Sequence, residues 1–180
     1  EDVHALFDAQ IARRALLWNE GEARPPASRH LWYAMESLIA RARPACGMFP
    51  CRWSVGDRVD GVILDVNHSL PLALAWSTMD SAMAEDIVCS ALSCQNEDGS
   101  IPAWVCADGS TSAAARTWPL LAQAAAVAWS GRRNPEFLQY ALPRLYRYLA
   151  DVTSHTDPAT RGIHCWQSSG ESLVPETFDA

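Results

Sequence analysis

The sequence predicts an all-α fold of antiparallel helical hairpins arranged in two concentric layers. No segment of the 180-residue chain shows sustained alternation of apolar and polar residues, so strands are not expected. Helices that are apolar on every side alternate with amphipathic helices, as inner and outer layers require. A short string of Gly, apolar residues and Trp also recurs after the amphipathic helices, as in repeat architectures.

Six helices are expected from apolar spacing and cap residues: 3–18, 29–42, 62–76, 80–94, 117–129 and 136–152. Ser28, Asp80 and Asn134 are the expected N-caps, because short oxygen-bearing side chains accept hydrogen bonds from first-turn amides. Pro135 is expected at a first helical position, where its missing N–H costs nothing. Gly131 is expected to end the helix before it.

Composition limits the function classes. Hydrophobic residues make up 49% and charged residues 19%, so a substantial core is expected. The net charge of −7 argues against nucleic acid or an anionic membrane surface as the main partner. No apolar run reaches the length of a membrane span. Residues 1–4 show no signal-peptide pattern, so a cytoplasmic location is expected.

Six cysteines carry no metal-ligand spacing: Cys46, Cys51, Cys89, Cys94, Cys106 and Cys165. None lies in a C-x-x-C pair, and no P-loop or dinucleotide fingerprint occurs, so neither a metal nor a cofactor is expected. We expect mostly reduced, buried thiols, with a disulfide framework as the alternative.

Three tryptophans follow the recurring glycines in the strings 47–53, 99–104 and 162–166. If the strings are equivalent, Trp53, Trp104 and Trp166 lie around one rim of the fold. A pyranose ring stacks on an exposed indole through its apolar C–H face. In the alternative interpretation, each ring plugs a gap between neighbouring hairpins.

Short motifs follow a known order between residues 60 and 180: Gln95-x-x-Asp98-Gly99-x-Ile101-Pro102, Thr117-Trp118-Pro119-Leu120, Asn134-Pro135-Glu136-Phe137-Leu138, then Gly162, Trp166 and Glu171-Ser172. This order resembles the six-hairpin glycosidases related to trehalase, processing α-glucosidase and the glucosylglycerate and mannosylglycerate hydrolases. The resemblance implies an (α/α)6 toroid. Residues 1–180 would form about half of it, as a single partial domain.

The resemblance also implies inverting hydrolysis of an α-linked glucoside or a related small glycoside, with acid and base facing each other across a water. In the family, the acid follows a Glu-Ser pair. Glu171-Ser172 is present, but the Gly-Trp-Asp that follows in trehalase-like members is missing. Asp179, Glu171 and Glu176 therefore all remain candidate acids, and a solvated acidic tail is the alternative. The family's base lies further along than residue 180.

Further polar residues are candidates for binding the sugar. Asp65, Asn67 and His68 open an apolar helix, where Asp65 is expected to cap and the other two to hydrogen-bond hydroxyls. Arg116 is a candidate for a substrate carboxylate, or else a solvated loop residue. Trp118 belongs to the Thr117–Leu120 motif and is a further candidate for binding the sugar. Gln95, Asp98 and Gly99 are expected to form a turn.

Two other function classes stay open. The Gln95-x-x-Asp98-Gly99-Ser100 string is similar to a repeat of terpenoid cyclases, although the Asp-x-Asp-Asp acid motif is missing. A non-catalytic carbohydrate-binding or interaction module is the other alternative. Half a toroid would leave inner helices uncovered, so the remainder of the toroid or a second chain is an expected partner, beside a small carbohydrate.

Overall fold

The computed structural model describes residues 8, 12, 26–55, 63–111, 117 and 120–154. Within them the fold is mainly helical, with a few short antiparallel strands. The chain divides into two compact units, Glu1–Arg41 and Ala42–Ala180. The single partial domain over 1–180 stays a prediction. In the described part of the chain, no helix has the length and apolarity needed to cross a membrane.

The first unit contains helix α1, Pro26–Arg41. The helix begins before the predicted start at residue 29, so Ser28 lies inside its first turn and the predicted cap is wrong. Pro26 suits this beginning, because its fixed φ is already helical and a first-turn residue needs no N–H. Residues 8 and 12 are helical, as predicted for 3–18, whose other residues lie outside the described ones.

The described residues of the second unit include four helices: α2 (Val66–Trp76), α3 (Ser81–Ser93), α4 (Leu121–Arg132) and α5 (Pro135–Ser154). Helix α3 packs against α2, α4 and α5, and α4 also packs against α2 and α5. The apolar side chains of α3 therefore fill the centre of the core. Met83, Ile87 and Leu92 are each at most 1% exposed.

Two of the predicted caps are confirmed. Asp80 Oδ1 accepts hydrogen bonds from the backbone N–H of Ala82 (2.9 Å) and Met83 (3.2 Å) at the start of α3. Asn134 Oδ1 accepts from the N–H of Glu136 (3.0 Å) at the start of α5. Each cap satisfies amides that the helix itself leaves without acceptors.

The predicted helix end at Gly131 is wrong. Helix α4 continues through Gly131 to Arg132, and Arg133 ends it in the left-handed conformation with φ of 51°. A Cβ on Gly131 would lie 2.2 Å from Ser81 Oγ. The glycine is therefore explained by the close approach of α4 to the start of α3, and not by a chain break.

Two antiparallel strand pairs correct the all-α prediction. Strand β1 (Ala42–Arg43) pairs with β2 (Trp53–Ser54), and β3 (Ile63–Asp65) pairs with β4 (Trp104–Cys106). Strands of two or three residues are too short to show an alternating pattern in the sequence. The expected helix 62–76 is accordingly divided, since its first residues form β3 and α2 begins at Val66.

Two Asp-Gly-Ser turns have the same internal geometry. Asp98 Oδ1 accepts from the N–H (2.9 Å) and hydroxyl (2.6 Å) of Ser100, and Asp108 Oδ1 accepts likewise from Ser110 (2.9 and 2.7 Å). The intervening glycines have φ of 95° at Gly99 and 93° at Gly109, which only glycine adopts easily. The prediction that Asp98 and Gly99 form a turn is confirmed.

Five cysteines fall in the described residues, and all are free thiols: Cys46, Cys51, Cys89, Cys94 and Cys106. Only Cys94 is buried, whereas Cys46 is exposed and the other three are half-buried. The expectation of mostly buried thiols is therefore wrong for this set, because three of them lie in loops or a short strand at the edge of the core. Cys165 lies outside the described residues.

Candidate functional site

The β3–β4 pair brings two predicted site segments together. Asp65, the last residue of β3, is the register partner of Trp104, the first residue of β4. The pairing extends by one further hydrogen bond, from the Val66 N–H to the Ala103 carbonyl (2.8 Å). Helix α2 begins at Val66, so its N-terminus and the Trp104 strand meet at the same place.

Asp65 holds both the start of α2 and the ring of His68. Its Oδ1 accepts from the His68 backbone N–H at 3.0 Å, which confirms the predicted cap. Its Oδ2 lies 2.6 Å from His68 Nδ1. A carboxylate only accepts, so Nδ1 carries a proton and donates it to Oδ2. The Asp65 side chain is 28% exposed and the His68 side chain is 54% exposed, so the oriented imidazole reaches solvent.

Trp104 presents a partly exposed indole beside this pair. The residue is 39% exposed, whereas Ile101, Pro102 and Ala103 before it are buried. The Thr117 hydroxyl fixes the preceding segment through the carbonyls of Ile101 (3.0 Å) and Pro102 (3.1 Å). The indole therefore projects from a backbone that is anchored on both sides.

Asn67 shares the helix start but not the exposed surface. The residue is only 8% exposed, whereas His68 is exposed. Neighbouring residues on a helix point about 100° apart, so the two side chains face different surroundings. The exposed site consists of Asp65, His68 and Trp104.

Trp53 is a core residue, and its predicted sugar-stacking role is wrong. The residue is 0% exposed, and its indole N–H donates to the Pro44 carbonyl (3.0 Å). Its ring packs on Phe49 at a centroid distance of 4.9 Å and an interplanar angle of 52°. A buried indole with its N–H bonded has no face to offer a ligand, so the interpretation as a plug applies here.

Glu85 is a buried carboxylate with a structural role. It is 4% exposed, and its Oε2 accepts from Arg132 Nη1 (3.2 Å) and Asn134 Nδ2 (3.1 Å). These contacts join the middle of α3 to the turn between α4 and α5. The sequence gives no local signal for this interaction, because the partners come from a different hairpin.

The other predicted site residues lie outside the described residues: Arg116, Trp118, Trp166, Glu171, Glu176 and Asp179. Their roles remain predictions. Among the residues that the structure does describe, no group of three or more His, Cys, Asp or Glu side chains is placed to hold a metal ion.

Comparison with known proteins leaves geometry as the basis for function. No protein-family model matches the chain, and no curated protein matches it. The features that bear on function are the partly exposed Trp104 indole and the Asp65–His68 pair, with Asp65 and Trp104 as register partners.

Proposed function

We propose that this chain is part of an inverting glycoside hydrolase of the (α/α) toroid type, acting on a small α-linked glucoside. Asp65, His68 and Trp104 would contact the sugar. The observation that carries the proposal is the β3–β4 pairing, which brings an exposed indole and an oriented hydrogen-bonding pair to one place from two separate segments.

The chemistry of the three side chains matches that of a pyranose. A sugar ring has an apolar C–H face, which the Trp104 indole can cover, and a rim of hydroxyls that both donate and accept. Asp65 accepts hydrogen bonds, and the exposed His68 imidazole is a second hydrogen-bonding group beside it. The net charge of −7 suits a neutral sugar such as trehalose better than an anionic glycoside such as glucosylglycerate.

The catalytic groups of the proposal come from the resemblance. Inverting hydrolysis needs a general acid at the leaving oxygen and a base that activates water on the opposite face of the sugar. Glu171, Glu176 and Asp179 are the candidate acids. In this scheme the described residues supply substrate contacts, so substitutions at Asp65, His68 or Trp104 act first on substrate affinity.

An apolar stripe on α5 is evidence in favour of a larger helical assembly. Leu138, Leu142, Tyr146 and Leu149 recur at helical spacing along one side of α5 and are 37%, 45%, 68% and 43% exposed. Long apolar side chains in one row are typical of a helix that packs on another helix. We propose that a further helical hairpin of the toroid covers this stripe.

The Gln95-to-Ser100 string that suggested a terpenoid cyclase has a structural role and does not support that alternative. Gln95 Nε2 donates to the carbonyls of Gly99 (2.9 Å) and Arg144 (2.9 Å), and Asp98 accepts from Ser100. These residues hold the loop against α5. A non-catalytic carbohydrate-binding module would use the same three residues as the hydrolase, so a separate assay of hydrolysis distinguishes the two.

The test is calorimetric titration of the chain with trehalose, glucosylglycerate and mannosylglycerate. One of these sugars is expected to bind, and Trp104→Ala is expected to weaken its binding about two- to twelvefold, since an aromatic contact contributes about 0.5–1.5 kcal/mol. His68→Gln should weaken it as well. Tyr146→Ala is the matched control, because it removes an exposed aromatic ring on α5 and should leave affinity unchanged.

Hydrolysis is then followed by proton NMR of the released sugar, whose anomeric form reports inversion. Binding with release of the inverted anomer supports the hydrolase. Binding without release supports the module instead when a protein that supplies the rest of the toroid, and with it the general base, is present in the assay. If the folded wild-type chain binds none of the three sugars, or if Trp104→Ala binds as tightly as wild type, the proposed contact site is wrong.

A further inference from the structure

Two cysteines that are far apart in sequence lie close together in the second unit. Cys51, in the loop before β2, lies against α3 next to Cys89, because the hydroxyl of Ser90 donates to the Cys51 carbonyl (3.2 Å). Each of the two thiols also perturbs the pKa of the other. Both residues are half-buried, so small reagents can approach them. The sequence alone does not predict this proximity, because neither cysteine lies in a C-x-x-C pair.

Neighbouring contacts hold the two thiols in place. The Ser90 hydroxyl, one residue beyond Cys89, donates to the carbonyls of Cys51 (3.2 Å) and Arg52 (3.3 Å). Arg52 Nε also donates to Asp86 Oδ2 on the preceding turn of α3. The backbone at Cys51 and Arg52 is therefore held against α3 beside Cys89.

We propose that Cys51 and Cys89 form a reversible intramolecular disulfide when the protein meets a low-molecular-weight disulfide such as oxidised glutathione. In the first step the Cys51 thiolate attacks one glutathione sulfur, and glutathione thiolate leaves. The Cys89 thiolate then attacks the Cys51 sulfur of the mixed disulfide and displaces the second glutathione. Two protein thiols are oxidised, one small disulfide is reduced to two thiols, and the two protein protons pass to the released glutathiones.

The protonation of the pair sets the order and the pace of these steps. Burial, reinforced by Asp86, raises the pKa of the Cys51 thiol, and burial raises the pKa of Cys89 to about 12. The neighbouring Arg52 favours the Cys51 thiolate, so Cys51 is the first nucleophile. Both thiols are protonated at neutral pH, and exchange is therefore slow. Once the mixed disulfide exists, proximity favours attack by Cys89.

The disulfide would attach the segment 46–55 to α3 covalently. This segment also reaches the turn after β4, because the Met48 N–H donates to the Ala107 carbonyl (3.3 Å). Cross-linking two segments that are distant in sequence restricts the unfolded chain and stabilises the folded one. Oxidation is therefore expected to raise the midpoint of thermal unfolding, and dithiothreitol is expected to reverse the rise.

The experiment treats the folded chain with excess oxidised glutathione near pH 8.5 and measures intact mass and disulfide-linked peptides. The expected result is a loss of about 2 Da with a Cys51–Cys89 peptide, and a thermal midpoint higher by about 5 °C. The linked peptide should vanish in both Cys51→Ser and Cys89→Ser. It should persist in the control Cys94→Ser, which removes a neighbouring buried thiol.

Three outcomes would overturn the proposal. One is a wild-type protein that gains only glutathione adducts, for example on the exposed Cys46, without the loss of mass. Another is a linked peptide that joins a different pair. The third is a Cys51–Cys89 peptide that forms only after denaturant is added, since the folded contact would then have no role in its formation.

Discussion

The close approach of the first Asp-Gly-Ser turn to α5 predicts a large cost for Gly99→Ala. A Cβ at this position would lie 2.4 Å from the Arg147 carbonyl oxygen and 2.9 Å from its carbon. Alanine at a φ of 95° costs about 1–3 kcal/mol by itself. Moving the loop away from α5 would also weaken the Gln95 hydrogen bonds to Gly99 and Arg144, each contributing about 0.5–1.5 kcal/mol.

The expected total for Gly99→Ala is a loss of about 2–5 kcal/mol in the free energy of unfolding. Gly109→Ala is the matched control, since its turn has the same hydrogen bonds and a φ of 93°. Its Cβ would meet only the Met48 sulfur, at 3.0 Å and at the end of a flexible side chain. Urea unfolding followed by tryptophan fluorescence measures both. Equal losses in the two variants would refute the argument from the α5 contact.

Two more predictions concern stability. Above about pH 9 the unfolding free energy should fall, because burial raises the pKa of Cys89 to about 12 and that of Cys94 to about 11. There the unfolded thiols ionise while the folded ones stay protonated, and each lowers stability by up to about 1.4 kcal/mol per pH unit. Cys89→Ala should flatten this slope in urea titrations, and an unchanged slope would contradict the assignment. Asp80→Ala should cost about 1 kcal/mol through loss of the α3 cap, whereas Asp80→Asn keeps the acceptor and should cost a few tenths. Equal effects of the two substitutions would show that charge matters more than capping.

The helices were largely predictable because their signals are local. Asp80 and Asn134 cap helices whose apolar residues recur at helical spacing, and both caps are confirmed. The predicted helix end at Gly131 was wrong, because the sequence shows a glycine but not the Ser81 side chain that lies against it. A glycine required by packing and a glycine that ends a helix look the same in one sequence.

The site was predictable only in part, for the same reason. Asp65 and His68 lie three residues apart, so their contact is a local consequence of the helix start. The meeting of Asp65 with Trp104 depends on strands of three residues, which carry no readable alternation. The proximity of Cys51 to Cys89 depends on how a loop lies against α3, and no local pattern in the sequence predicts it.

The recurring Gly-to-Trp string shows how one pattern can have two outcomes. Trp53 is 0% exposed, whereas Trp104 is 39% exposed. The stretches from Gly47 to Trp53 and from Gly99 to Trp104 both contain turns or bends, so the spacing alone does not decide which way each indole points. Trp53 lies in β2, which pairs with β1, whereas Trp104 lies in β4, which pairs with β3. The surroundings that each strand pair provides therefore distinguish the core ring from the partly exposed one.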